Sequence, residues 1–397
     1  MVESGFHLNY NLIYPGWPCG EFDIKRKGRR RDHSDKESKP HVSSTSRSNL
    51  SASNPDASHN RMMAMDACRT FAATGIVWLH SARPEGLGNW EVLGRAGVPL
   101  FAGSAAYLCV ASVMRDQPKP FWTYVWSRAA RVLIPFFAWS LIYLLARSVK
   151  PFITGGENKV EFNAGLLWTG TAHHLWFLPF IFVTTIGLFA LARFVKPFGG
   201  FAVKLTGIIL ATSCVLGLFM PQSWLAGYAD KHFGNSGNFY TLVLSLDAIA
   251  ALLFGAAAAF LLAGRAPQSQ LNTTWRPVGM AGLALFVGAT GVLFYQGRSL
   301  AGENIAGIGL FIFAVMPFEN AALRALAKLG PLAFGIYLSH ILAVDLMRNI
   351  VPKLLEKRGM VITDVWWDVA TFMVALAFGI GISMMLKRAK PLAWLIA

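Results

Sequence analysis

From about residue 64 to residue 386 the sequence is a succession of ten apolar segments. Each is close to the ~20 residues that an α-helix needs to cross about 30 Å of hydrocarbon. They run roughly 64–82, 94–114, 129–148, 174–194, 201–220, 243–264, 277–296, 299–317, 329–350 and 367–386. The eighth is interrupted by Glu303 and Asn304, and short loops separate most of the others. No internal repeat is visible. The expectation is an all-α, polytopic transmembrane bundle of about ten helices, with both termini cytoplasmic.

Charge supports that reading. Only 14% of residues are charged and 54% are hydrophobic, where a soluble domain carries roughly 25% charged residues. Soluble enzymes, disulfide scaffolds and fibrous proteins are excluded. The formal charge of +15 comes from 36 Lys+Arg against 21 Asp+Glu. On an apolar chain it points to helix ends at a membrane surface rather than to nucleic acid. Residues 1–61 differ in kind. They hold the cluster Lys25, Arg26, Lys27, Arg29, Arg30 and Arg31, then a Ser/Asn-rich stretch with no signal-peptide core. This part reads either as a disordered cytoplasmic tail ahead of one membrane domain, 62–397, or, because Met62, Met63 and Met65 stand just before the first apolar run, as a stretch that is not translated.

With the amino terminus inside, about fourteen Lys and Arg fall on inner loops and the carboxyl end, plus about ten in the tail. About eleven fall outside, four of them in the single stretch 348–358. Cys68, Cys109 and Cys214 lie in apolar segments, and with Cys19 they make no ligand spacing.

Ionisable side chains inside a span are costly and mark function by default. Arg69 and His80 are eleven positions apart. At ~100° per residue that is about three turns plus roughly 20°, so both lie on one face, about 16 Å apart along the axis. Arg128 and Arg131, three apart, share a face at the inner end of the third span. Two guanidinium forks suit phosphate oxygens, although positive-inside anchoring explains such a pair equally. His174, Asp247, Glu303 and His340 fall in the outer half with His80. Adjacent His173 and His174 point apart on a helix and have no ligand-spaced partner, so no metal site is expected. No P-loop, GxSxG, GxGxxG or HExxH pattern stands in a supporting context.

Five motifs in order carry a resemblance. They are Asp66-Ala67-Cys68-Arg69 with His80, Val98 through Ser104, Arg128-x-x-Arg131 ahead of Pro135, His174-Leu175-Trp176-Phe177-Leu178, and Phe334-Gly335-Ile336-Tyr337-Leu338-Ser339-His340. Together they resemble the membrane acyltransferase type three family, which includes bacterial glycan O-acetylases. Gly103-Ser104 reverses the order of the family's Ser-Gly step.

The resemblance implies transfer of an acyl group, most simply acetyl, from a cytoplasmic acyl-CoA co-substrate with no bound cofactor. The acceptor would be a hydroxyl of a carbohydrate or lipid-linked glycan, and the location the bacterial inner membrane. His80 and Arg69 match the family's essential pair, and Arg128 with Arg131 its donor-handling arginines. His174, His340, Tyr337, Asp66 and Glu303 are candidate acceptor-side or supporting residues. His80 would act as general base or carry the acyl group as an acyl-imidazole. The chain ends about ten residues past the last span, which leaves no room for the extra esterase-like domain of some members. The rival reading is a transporter or flippase for an anionic or lipid-linked substrate, with Pro135 and Pro179 as possible helix breaks.

Overall fold

Small residues run the length of the first helix, α1 (Pro55–Ser81), and they let it occupy the middle of the bundle. Ala64, Ala67, Ala72, Ala73, Ile76 and Val77 are all buried, as close approach of neighbouring helices requires. The computed structural model describes residues 55–83, 87–114, 118–154, 166–219, 248–263, 275–316, 318, 320–359 and 365–396. The tail expected over 1–61 lies outside them as far as residue 54. Asp247 and the start of the sixth expected span lie outside them too. α1 begins at Pro55, well ahead of the apolar run.

The remaining helices are α2 (Val92–Arg95), α3 (Gly97–Met114), α4 (Phe121–Thr154), α5 (Leu166–Thr169), α6 (Phe177–Val195) and α7 (Gly199–Leu218). Then come α8 (Ile249–Leu262), α9 (Arg276–Gln296), α10 (Leu300–Val315), α11 (Ala321–Ala327), α12 (Ala333–Asp345), α13 (Val351–Glu356) and α14 (Val365–Arg388). No strand occurs among the described residues. α1 touches α2, α3, α10, α11, α12 and α14. The strongest pairings elsewhere are α9 with α10, α3 with α8, α7 with α8, and α12 with α14.

Six runs among the described residues are long and apolar enough to cross a bilayer: Asn89–Met114, Phe121–Phe152, His173–Leu218, Arg276–Gln296, Ala321–Glu356 and Val365–Arg388. The run His173–Leu218 covers two of the expected segments and is divided at Gly199, whose φ of 83° turns the chain. α8 and α10 are shorter apolar helices. Large apolar side chains are exposed on the outer helices: Trp122, Trp126 and Phe137 on α4, Phe201 and Ile208 on α7, Met373 and Met385 on α14. Such a belt suits hydrocarbon and not water, and it marks an integral membrane protein.

Polar residues inside the helices have local reasons. Asn304 on α10 accepts the Ala251 N–H of α8 at 3.1 Å and donates to Leu300 O at 3.1 Å. One of the orphan donors in α8's first turn is thereby satisfied from another helix. α4 runs unbroken through Pro135 and Pro151, and Pro179 sits in the first turn of α6. The helix breaks weighed for a transporter are therefore not present at these prolines.

Gly103 of α3 and Gly255 of α8 let their two helices meet backbone to backbone. A Cβ on Gly255 would stand 2.0 Å from Gly103 O, against backbone that cannot move aside. Gly255→Leu is expected to force the two helices apart and cost more than the ~1–3 kcal/mol of ordinary overpacking. The check is the yield and melting of monodisperse protein in detergent, which should both fall. An unchanged melting curve would show that the two helices can separate freely.

Candidate active site

α1 ends at His80 and Ser81, where helix carbonyls need donors from elsewhere. Arg348 supplies them from a π-helical turn, Leu346–Ile350, that continues α12. Its Nη2 donates to Ser81 O at 2.9 Å and to Ala82 O at 2.6 Å. Asp368, 1% exposed at the start of α14, holds the segment that follows. It accepts from the backbone N–H groups of Arg83 and Leu87, each at 3.2 Å, and from Arg83 Nε at 2.7 Å. Trp78 Nε1 donates to Trp90 O at 2.9 Å. The last turn of α1, which carries His80, is thus pinned from three directions.

Three further histidines meet His80 there. His173 and His174 come from a 3₁₀ turn, His173–Trp176, ahead of α6, and His340 comes from α12. The His80 ring stacks on His340, with centroids 5.3 Å apart and planes at 29°. It meets His173 edge-on at 4.9 Å, and His80 Nδ1 lies 3.4 Å from His173 Nε2. His174 stands behind, 5.1 Å from His340 and 6.4 Å from His80. Exposure divides the four. His173 is exposed and His80 half-buried, while His174 and His340 are buried.

Two tyrosines fix the inner part of this cluster. Tyr337 donates its hydroxyl to the His174 carbonyl, and Tyr143 donates to Leu338 O at 2.7 Å. Both rings meet His174 edge-on at 5.4 Å. His340 Nδ1 donates to Tyr337 O at 2.8 Å, which leaves Nε2 as the lone-pair nitrogen of a neutral ring. That Nε2 has no hydrogen-bond partner among the described residues. An orphaned buried polar atom of this kind costs roughly 1–3 kcal/mol, and it fits a site completed by a ligand. Among the described residues no set of three or more ligating side chains is placed to hold a metal ion.

The arginines lie at the other end. Arg69 Nη1 pairs with Asp66 at 3.2 Å, and both side chains are about 30% exposed, at 29% and 27%. Thr70 beside them donates to Leu326 O at 2.9 Å, which ties this end of α1 to α11. α4 runs in the same sense, from Arg128 toward Tyr143 at the histidines, about 22 Å along its axis. Arg128 Nε donates to the Tyr124 hydroxyl at 3.2 Å, and Tyr124 stacks on Phe189 of α6 at 3.9 Å. Arg131 is exposed and folds back on its own helix, bonding Ser127 O at 3.1 Å and Ser127 Oγ at 2.6 Å. Arg128 is therefore anchored toward the bundle while Arg131 faces outward.

His80, His174, His340 and Tyr337 are brought together. Arg69 is ion-paired with Asp66 midway along α1, and Arg128 with Arg131 forms a separate cationic place on α4. Glu303 stands apart from the rings, buried between Arg298 (2.9 Å) and Arg95 (3.4 Å). Arg95 also pairs with Glu91. Sequence reasoning weighed His173 only as a metal ligand and set it aside, and it passed over Asp368 and Arg348. Asp368 had a signal as an acid at the edge of the last apolar segment. Arg348 belonged to the excess of charge in 348–358.

A family model described as an acyltransferase domain matches residues 63–386. No curated protein and no solved structure matches the chain.

Proposed function

Because the chain belongs to the acyltransferase type three family, we propose that it moves an acetyl group from a coenzyme A thioester to a hydroxyl of a carbohydrate or lipid-linked glycan. The donor is cytoplasmic, the membrane a bacterial inner membrane, and the activity that of an O-acetyltransferase. The observation that carries this reading is the placement of an accessible imidazole, His80, three helical turns along α1 from the Arg69–Asp66 pair.

A thioester is already activated. Catalysis then requires a base for the acceptor hydroxyl and stabilisation of the oxyanion that forms at the carbonyl. His80 Nδ1 faces His173 Nε2. A neutral His80 that donates from Nδ1 to His173 presents a lone pair at Nε2. That nitrogen takes the acceptor proton as the hydroxyl oxygen bonds to the thioester carbonyl carbon; the C–S bond then breaks, and the imidazolium returns the proton to the departing coenzyme A thiolate. Buried His340 Nε2 and His174 flank the reacting group. The nucleotide phosphates lie at the arginine end, and a pantetheine arm spans the roughly 16 Å along α1 from Arg69 to His80.

The reading is tested with inverted membrane vesicles given radiolabelled acetyl-CoA and a glycan acceptor. Label is expected in carbohydrate. Its absence there, with acceptor crossing the membrane unmodified, would favour transport instead. Arg128→Ala removes one charge-assisted contact worth roughly 1.5–3 kcal/mol. It is expected to raise KM for acetyl-CoA about 10- to 100-fold with a smaller change in kcat, and Arg128→Lys should recover part of it. An unchanged KM would remove Arg128 from donor binding.

A further inference from the structure

Positive charge is ordinarily depleted on the outer loops of membrane proteins, yet residues 348–358 carry four cations. The structure gathers them at the His80 end. Arg348 turns in and binds the carbonyls one and two residues beyond His80. Lys353, Lys357 and Arg358 are exposed on and just after α13. Beside them opens a cavity of about 260 Å³ lined by Arg83, Arg348, Pro352 and Trp367. The acidic groups here among the described residues are Asp368, which is bound by Arg83, and exposed Glu356; Asp345, one turn before Arg348, is paired with Lys150. Outside that last pair the five cations therefore outnumber the acids by three.

We infer that this cleft is the acceptor subsite, and that it selects acceptors carrying an oxyanion, a sugar carboxylate or a phosphate, near the reacting hydroxyl. The inference rests on the acyl-transfer reading for its link to His80. Three properties carry it. Guanidinium forks recognise carboxylate and phosphate oxygens with directed hydrogen bonds. A tryptophan offers a flat apolar face for a sugar ring while its N–H remains available. The lysine rim attracts anions before contact, and its effect is screened by salt. Arg348 joins the cleft to the reaction centre, since the side chain that lines the cavity also caps the turn carrying His80. A ligand held by Arg348 therefore stands beside the base. The same arrangement accounts for cations on the unfavoured side of the membrane, where anchoring gives no reason for them.

Direct binding separates this inference from the reaction itself. Purified full-length protein in detergent micelles is dialysed, without acetyl-CoA, against three labelled probes. These are a hexuronate oligosaccharide, a sugar linked to a prenyl diphosphate, and a neutral glucan of the same number of rings. At least one anionic probe is expected to bind tenfold or more tighter than the neutral glucan, and to weaken as salt rises. Preference for the hexuronate identifies a carboxylate, and preference for the diphosphate a phosphate. Pro352→Glu should weaken the anionic probe about tenfold and leave the neutral one unchanged. Lys353→Glu with Lys357→Glu, at exposed positions that carry no fold burden, should weaken it in the same direction. Equal binding of charged and neutral probes, or anionic binding indifferent to all three substitutions, would overturn the inference. Adding acetyl-CoA to the bound probe then tests acyl transfer separately. Tight anionic binding without label transfer keeps the cleft and refutes the reaction.

Discussion

His80→Ala is expected to lower acetyl transfer by roughly 10²- to 10⁴-fold, the range that a positioned general base contributes, while the protein still folds. The second half of that expectation follows from what holds the turn. His80 is half-buried, and its contacts are to other rings. The anchors are Arg348 on the Ser81 and Ala82 carbonyls and Asp368 on Arg83 and Leu87, none of which uses the imidazole. Label transferred from acetyl-CoA to carbohydrate should fall to background while the melting midpoint in detergent moves little. His173→Asn tests the pairing. It removes the ring nitrogen that faces His80 Nδ1 and should lower kcat less than His80→Ala does, since the base remains but its tautomer is no longer set. If His80→Ala membranes label glycan as well as wild type, His80 is not the base. If they label at a reduced rate that His173→Asn matches, the two rings act as one unit.

The helices were readable because membrane spans write themselves as runs. Each apolar segment expected from residue 64 onward overlaps a helix wherever the residues are described. What the sequence did not show is how these runs pack against one another. α6 and α7 form one apolar run turned at Gly199, and α8 and α10 are shorter apolar helices among the described residues. Asn304 looked like an interruption of the eighth segment, and it is a capping group for α8. That pairing is tertiary and leaves no local pattern. The site was legible in the same partial way. His80, His174 and His340 could be assigned to one half of the membrane from topology alone, but nothing in their spacing joins α1, the 3₁₀ turn and α12. His173 was set aside because adjacent residues diverge. They do diverge, one exposed and one buried, and His80 meets both rings. Glu303 was legible as an anomaly without its explanation, because Arg95 comes from α2 and only the fold brings it there, while Arg298 stands five residues before it in the connection into α10.

Those two arginines make Glu303→Gln the substitution with the largest expected effect on stability. Glu303 is 8% exposed in its side chain, and Arg95 beside it is 14% exposed. Removing one partner of a buried ion pair typically costs about 3–5 kcal/mol, because the other charge is left without compensation. The two arginines will not suffer equally. Arg298 is 45% exposed and can turn to water or headgroups, whereas Arg95 keeps only Glu91. Most of the loss should therefore reside on Arg95. The double variant Glu303→Gln with Arg95→Gln separates the contributions. Removing both charges should return part of the stability lost by the single change, giving a coupling well outside additivity. The readout is the melting midpoint of the purified protein in detergent, measured for both single variants and the double. A Glu303→Gln protein as stable as wild type would mean that Arg95 is solvated where the structure buries it. A purely additive double would mean that the pair at 3.4 Å contributes nothing. Strong coupling would make Glu303 the counter-ion that allows Arg95 to lie at the junction of α2 and α10, with no part in acceptor chemistry.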